Sequence, residues 1–167
     1  MGSFWCAAGG KFLLNSLVTS LGAIVWNLIN SIITGATGEE TGWRGYLHPI
    51  FTKKYGVVKG SVCVGIIWGF WHTPLWFLTS GYAGVQLIQY SACFMIFIVS
   101  AAVVMGICYE KNRNILIPVG IHFGVNFTLG FYNGDLLTLI KYLMILYLLW
   151  AVIMTISSNN KRKLMEL

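Results

Sequence analysis

Long apolar runs broken by short polar interruptions dominate the chain, and their lengths set the first expectation. A run of roughly 20 apolar residues is long enough to cross the hydrocarbon core of a bilayer as a helix. Five such runs occur, over about 12–36, 57–78, 85–109, 115–131 and 136–157. The pattern predicts an all-α polytopic membrane helix bundle of about five transmembrane helices. The links between runs leave no room for a separate soluble domain, so residues 1–167 are expected to form a single transmembrane domain. The first run is too long for a signal-peptide core and lacks a clean small-residue cleavage site, so the first helix is expected to be retained.

Composition agrees. The chain is 57% hydrophobic and only 10% charged, with a mean hydropathy of +0.74; soluble domains carry roughly a quarter charged residues. The net charge of +6 invites a nucleic-acid reading, which its distribution removes. Lys53, Lys54 and Lys59 follow the first run, Lys111 and Arg113 the third, and Lys161, Arg162 and Lys163 the fifth. All fall on one face of the predicted bundle, whereas the other face has only Lys11, an uncharged link over 79–84 and a turn near Asp135. Positive charge marks the cytoplasmic side, so the expected topology is N-out and C-in, with contact to anionic lipid as a secondary consequence. The four cysteines, Cys6, Cys63, Cys93 and Cys108, lack metal-site spacing and read as small packing residues.

Against this background the ionisable residues at membrane depth are few, and each is a functional candidate because burying charge in a bilayer is costly. In "EETGWR" a helix places Glu40 and Arg44 at i and i+4, where acid and guanidinium can pair through two parallel hydrogen bonds. Glu39 then points elsewhere and remains available as a base or ligand. In "WGFWHTPLW", His72 lies roughly 15–18 Å along its helix from the basic end, near mid-bilayer, and Pro74 is expected to kink the span there. Trp68, Phe70, Trp71 and Trp76 read as packing or interfacial aromatics. In "GIHFGVN", His122 and Asn126 share a helix face, and Gly120 and Gly124 are expected to admit a neighbouring backbone. The competing structural reading makes all these groups headgroup charges or interhelical hydrogen-bonding glue. His48, in an amphipathic stretch before Pro49, reads as a surface histidine. Asn27, Asn30, Ser31 and Thr34 form a polar stripe that either lines a cavity or glues helices.

Three ordered motifs, Glu39-Glu40-Thr41-Gly42-Trp43-Arg44, Trp68-Gly69-Phe70-Trp71-His72 and His122-Phe123-Gly124-Val125-Asn126, resemble those of the CPBP family. That family comprises CAAX prenyl endopeptidases and bacteriocin-processing or self-immunity proteins, also called ABI proteins. The similarity covers about residues 35–130. Trp68 stands where the family usually has Phe, and the region before the core is shorter than in many members. The resemblance implies an intramembrane endopeptidase in which Glu39 activates water, and His72 with His122 binds metal or water or stabilises the oxyanion. Glu40, Arg44 and Asn126 support them. Two histidines and one carboxylate are a recognised zinc set, and the same groups also work as general base and oxyanion donor without metal. The implied partners are the lipid bilayer and a membrane-associated peptide or protein substrate: a prenylated CAAX protein, a leader peptide, a pheromone or a bacteriocin precursor. The implied location is a bacterial plasma membrane, with the site toward the cytoplasm. Two rivals stand beside this reading. One is a non-catalytic immunity or scaffold protein of the same fold, and the other is a proton-coupled carrier relaying through Glu39, His72 and His122.

Overall fold

The computed structural model describes residues 21–165. Cys6, Lys11 and the first part of the first predicted span lie outside the described residues, as do the side chains of Thr34, Lys161, Arg162 and Lys163. All regular elements among the described residues are helical. The first path joins α1 (Leu21–Asn30), a π-helical segment Ser31–Thr37, α2 (Gly38–Gly42), a second π-helical segment Trp43–Leu47 and α3 (His48–Tyr55). Every junction in it keeps right-handed helical dihedrals, so the path is unbroken. It ends at Gly56, whose φ of 78° is a conformation that glycine alone adopts cheaply. Next come α4 (Val57–Trp71), α5 (Thr73–Leu78), α6 (Gly84–Asn112), α7 (Leu116–Phe131) and α8 (Leu136–Met165).

Three stretches, Val57–Leu78, Gly84–Asn112 and Leu136–Asn159, are long and apolar enough to cross a membrane, and Leu116–Phe131 is a shorter apolar helix. The chain is a polytopic helical membrane bundle, as its pattern predicts. Large apolar side chains such as Trp26, Ile33, Trp71, Leu78 and Ile153 are exposed, as expected where the outer surface meets lipid. The core lies along α6, whose Ala101, Ala102, Val104, Met105 and Ile107 are almost wholly buried.

Close backbone approach fixes how α4 meets α6. A Cβ on Gly65 would lie 2.7 Å from Val99 Cα and 2.9 Å from Ala102 Cβ, and one on Gly69 would strike the Met95 side chain. The pairing of rising with falling numbers makes α4 and α6 antiparallel. Their shared end therefore holds Lys59, Lys111 and Arg113, next to Lys53 and Lys54 in the last turn of α3. At the far end Asp135 caps α8: its Oδ2 accepts from Thr138 N at 2.8 Å, while its Oδ1 takes the Tyr82 hydroxyl at 2.7 Å. Hydrogen bonds from Thr138 and then from Tyr82 hold the Asp135 carboxyl down at about 2.

Two expectations about small residues change. Among the described residues Gly120 and Gly124 have no neighbouring atoms within 4 Å of where a Cβ would stand, so they admit no described backbone; backbone approaches closely at Gly60 and Gly65 on α4 instead. Within the polar stripe on the first path, Asn27 and Ser31 act as glue to α7, whereas Asn30 donates back to Trp26 O in its own helix. Asn27 Nδ2 donates to Phe127 O at 3.2 Å, and Ser31 Oγ donates to Asn27 Oδ1 at 3.2 Å.

Candidate functional site

The first path presents one face to the bundle through an unusual run of buried positions: Asn27, Ser31, Ala36, Glu40, Arg44 and His48. Spacings of four and five residues slip by about 40° or more per step on an ideal α-helix, which has 3.6 residues per turn. The two π-helical segments widen the turn and absorb that slip, so Glu40 and Arg44 face inward in line with Asn27.

Glu40 and Arg44 are both fully buried. Their contact differs from the expected fork: Arg44 Nη1 alone sits 2.9 Å from both Glu40 oxygens, an end-on pair. Glu40 Oε1 also accepts from His122 Nδ1 at 2.9 Å. The carboxylate can only accept, so Nδ1 carries a ring proton, and in the neutral ring Nε2 presents a lone pair.

The second span breaks at the predicted place. Pro74 lacks an amide hydrogen, α4 stops at Trp71 and α5 resumes at Thr73, with His72 between them at φ −85°, ψ −2°. His72 N turns to Gly69 O at 3.1 Å. Trp68 O then accepts His72 Nδ1 at 2.9 Å, and a carbonyl acceptor again places the proton on Nδ1 and the lone pair on Nε2. Among the described residues neither Nε2 has a protein hydrogen-bond partner.

Among the described residues Glu39 has no cationic partner, yet it is held. Its Oε2 accepts from Trp68 Nε1 at 2.6 Å and from Trp43 Nε1 at 3.2 Å. Trp68 is the hub. It is 2% exposed, its ring lies 5.0 Å from the His122 ring centroid and 5.9 Å from that of His72, and Arg44 Cζ sits 5.0 Å over it. The structure thus gathers Glu39, Glu40, Arg44, His72 and His122 around one indole. Asn126 lies one turn beyond His122 with its amide against Gly35. Reading Trp68 as a packing aromatic missed this role; a further signal, Glu39 and Trp43 at i and i+4, also stood in the sequence.

The ligand types suit zinc, but among the described residues no three His, Cys, Asp or Glu side chains are arranged to hold a metal ion. The surface reading of His48 is overturned: it is fully buried, with its ring 5.8 Å from Tyr109. The two π segments bring it inward, where a pure α-helix would have carried it toward solvent.

The fold and this centre define a class, the integral membrane protein with a buried acid–imidazole cluster inside a helical bundle. The chain belongs to the Rce1-like family, type II CAAX prenyl endopeptidase Rce1-like, whose model matches residues 21–128. CAAX prenyl protease 2 of Methanococcus maripaludis is 31% identical over 99 residues, which are 57% of this chain and 36% of that protein. The chain therefore spans little more than a third of the length of that curated relative. No solved structure matches it.

Proposed function

We propose that the chain is an intramembrane endopeptidase that hydrolyses a peptide bond in a membrane-associated peptide or protein, with prenylated CAAX proteins the substrate class suggested by the name of its relative. The observation that carries the reading is the contrast between the two glutamates. Glu40 is fully buried, ion-paired with Arg44 and hydrogen-bonded through Oε1 to both Arg44 and His122, while Glu39 is anchored through Oε2 by two indoles, has no cationic partner among the described residues and keeps Oε1 uncommitted. A general base needs a fixed carboxylate with a free oxygen.

On this reading each step runs through the chain's own groups. Glu39 Oε1 takes a proton from water as the water oxygen attacks the scissile carbonyl. The imidazoles, with their protons on Nδ1, accept at Nε2, so they orient that water rather than donate to the oxyanion. The Asn126 amide has the N–H donors that an oxyanion requires. Collapse of the tetrahedral intermediate breaks the C–N bond, and the leaving amine takes the proton back from Glu39. The site faces the cytoplasmic leaflet if the basic end does.

Cleavage of a fluorogenic farnesylated CAAX peptide by purified protein in detergent tests this. Glu39→Gln, His72→Ala and His122→Ala each abolish cleavage while circular dichroism stays native. Full activity in Glu39→Gln would end the assignment. Loss of bound zinc on chelation is expected to leave the rate unchanged, and restoration of a lost rate by added zinc would replace this mechanism with a metal-dependent one.

A further inference from the structure

His48 takes no part in the steps above, yet it is fully buried on the same face as Arg44, one turn further on. Its surroundings come from three elements. From α6, Glu110 Oε1 lies 3.5 Å from His48 Nε2, and Glu110 is itself drawn to Arg113 Nη2 at 2.6 Å. From α4, the Ser61 hydroxyl meets the His48 ring above Gly106, where any Cβ would collide with both. On its own path stands Arg44. The 3.5 Å separation from Glu110 closes no hydrogen bond, and both ring nitrogens are buried without a partner; Nε2 is the one turned toward a carboxylate, which leaves Nδ1 to meet a donor. Burial first, then the Arg44 and Arg113 cations, push the ring down to about 4, so it is neutral at pH 7.

The end-on geometry of Arg44 leaves the complement. Arg44 Nε and Nη2, whose N–H bonds point the same way along one guanidinium edge, are buried without a hydrogen-bond partner, and so are both His48 ring nitrogens and Glu40 Oε2. Two donors and one acceptor on adjacent turns of one buried face match the roughly three hydrogen bonds of a typical interior water.

We propose that His48 is a positioning residue: through one buried water its Nδ1 engages the free edge of Arg44, fixing the guanidinium and thereby the Glu40 carboxylate that aims His122. A line of polar side chains then runs from Arg113 at the basic surface through Glu110, His48, Arg44 and Glu40 to His122. The catalytic consequence rests on the reading under Proposed function; the geometry does not.

The test therefore has a readout free of activity. The protein has three histidines, and 15N-histidine NMR of purified protein in detergent at pH 7 resolves their tautomers. The expected spectrum has one neutral ring protonated on Nε2, lost in His48→Leu, and two protonated on Nδ1. A His48 protonated on Nδ1 overturns the proposal. In His48→Leu the His122 resonances move, and kcat for the farnesylated peptide falls about ten- to a hundredfold, the usual cost of losing an outer-shell partner. KM stays within about twofold, because substrate binding is untouched. His48→Asn, whose side-chain carbonyl replaces the Nδ1 acceptor, restores both. Unmoved His122 resonances, or a loss of kcat that His48→Asn fails to repair, overturn it. A wild-type protein that cleaves nothing refutes the peptidase reading and leaves the tautomer result to decide this one.

Discussion

Glu39 and Glu40 adjoin in sequence and occupy opposite electrostatic situations. Removing charge from Glu40 strands Arg44, which is fully buried, and breaking a buried pair from one side costs about 3–5 kcal/mol. Glu39→Gln keeps an oxygen for the two indoles, so its cost is about 1 kcal/mol or less. Thermal or denaturant unfolding in detergent separates them. Glu40→Gln and Arg44→Met are each expected to destabilise by several kcal/mol, and the double variant by no more than the worse single one. Additive losses would mean that the two side chains do not interact as this end-on pair. The i, i+4 spacing made that partnership legible in the sequence. It did not reveal that one nitrogen serves both oxygens, because fork and end-on pairing have the same spacing.

At the scale of the helix, glycine meaning depends on which face the glycine occupies, and spacing alone does not report that. Gly124 stands in a G-x-x-x-G frame with Gly120 and meets nothing, whereas Gly65 touches the Val99 backbone and Ala102. Gly65→Ala is therefore expected to push α4 from α6 and destabilise by about 1–3 kcal/mol, with Gly124→Ala neutral or slightly stabilising through helix propensity. Equal losses would contradict the packing described. The three long apolar passes, the shorter apolar helix α7 and the break at Pro74 were legible because length and proline chemistry act locally. The inward turn of His48 was not, since it depends on two π-helical segments that no apolar periodicity marks. The same segments put Asn27, Ser31 and Glu40 on one buried face.

For the whole molecule, orientation decides what the centre can reach. Antiparallel α4 and α6 bring Lys53, Lys54, Lys59, Lys111 and Arg113 to one end, while the Tyr82–Asp135 contact closes the other, where Lys141, five residues into α8, is the nearest cation among the described residues. Each basic residue near an anionic cytoplasmic leaflet contributes about 1 kcal/mol, so five gathered cations favour one orientation strongly. In a background with Cys6, Cys63, Cys93 and Cys108 replaced by serine, a membrane-impermeant maleimide should label Asn133→Cys on intact cells and Lys54→Cys only after permeabilisation. The reverse pattern would put the basic end outside. The result bears on chemistry as well as topology. His122 lies six residues into α7 from its start at Leu116, about 9 Å along the helix, on the side where Arg113 and Lys111 emerge. Labelling of Lys54→Cys from inside alone therefore places the Glu39 and His122 centre within reach of a cytoplasmic peptide tethered to that leaflet.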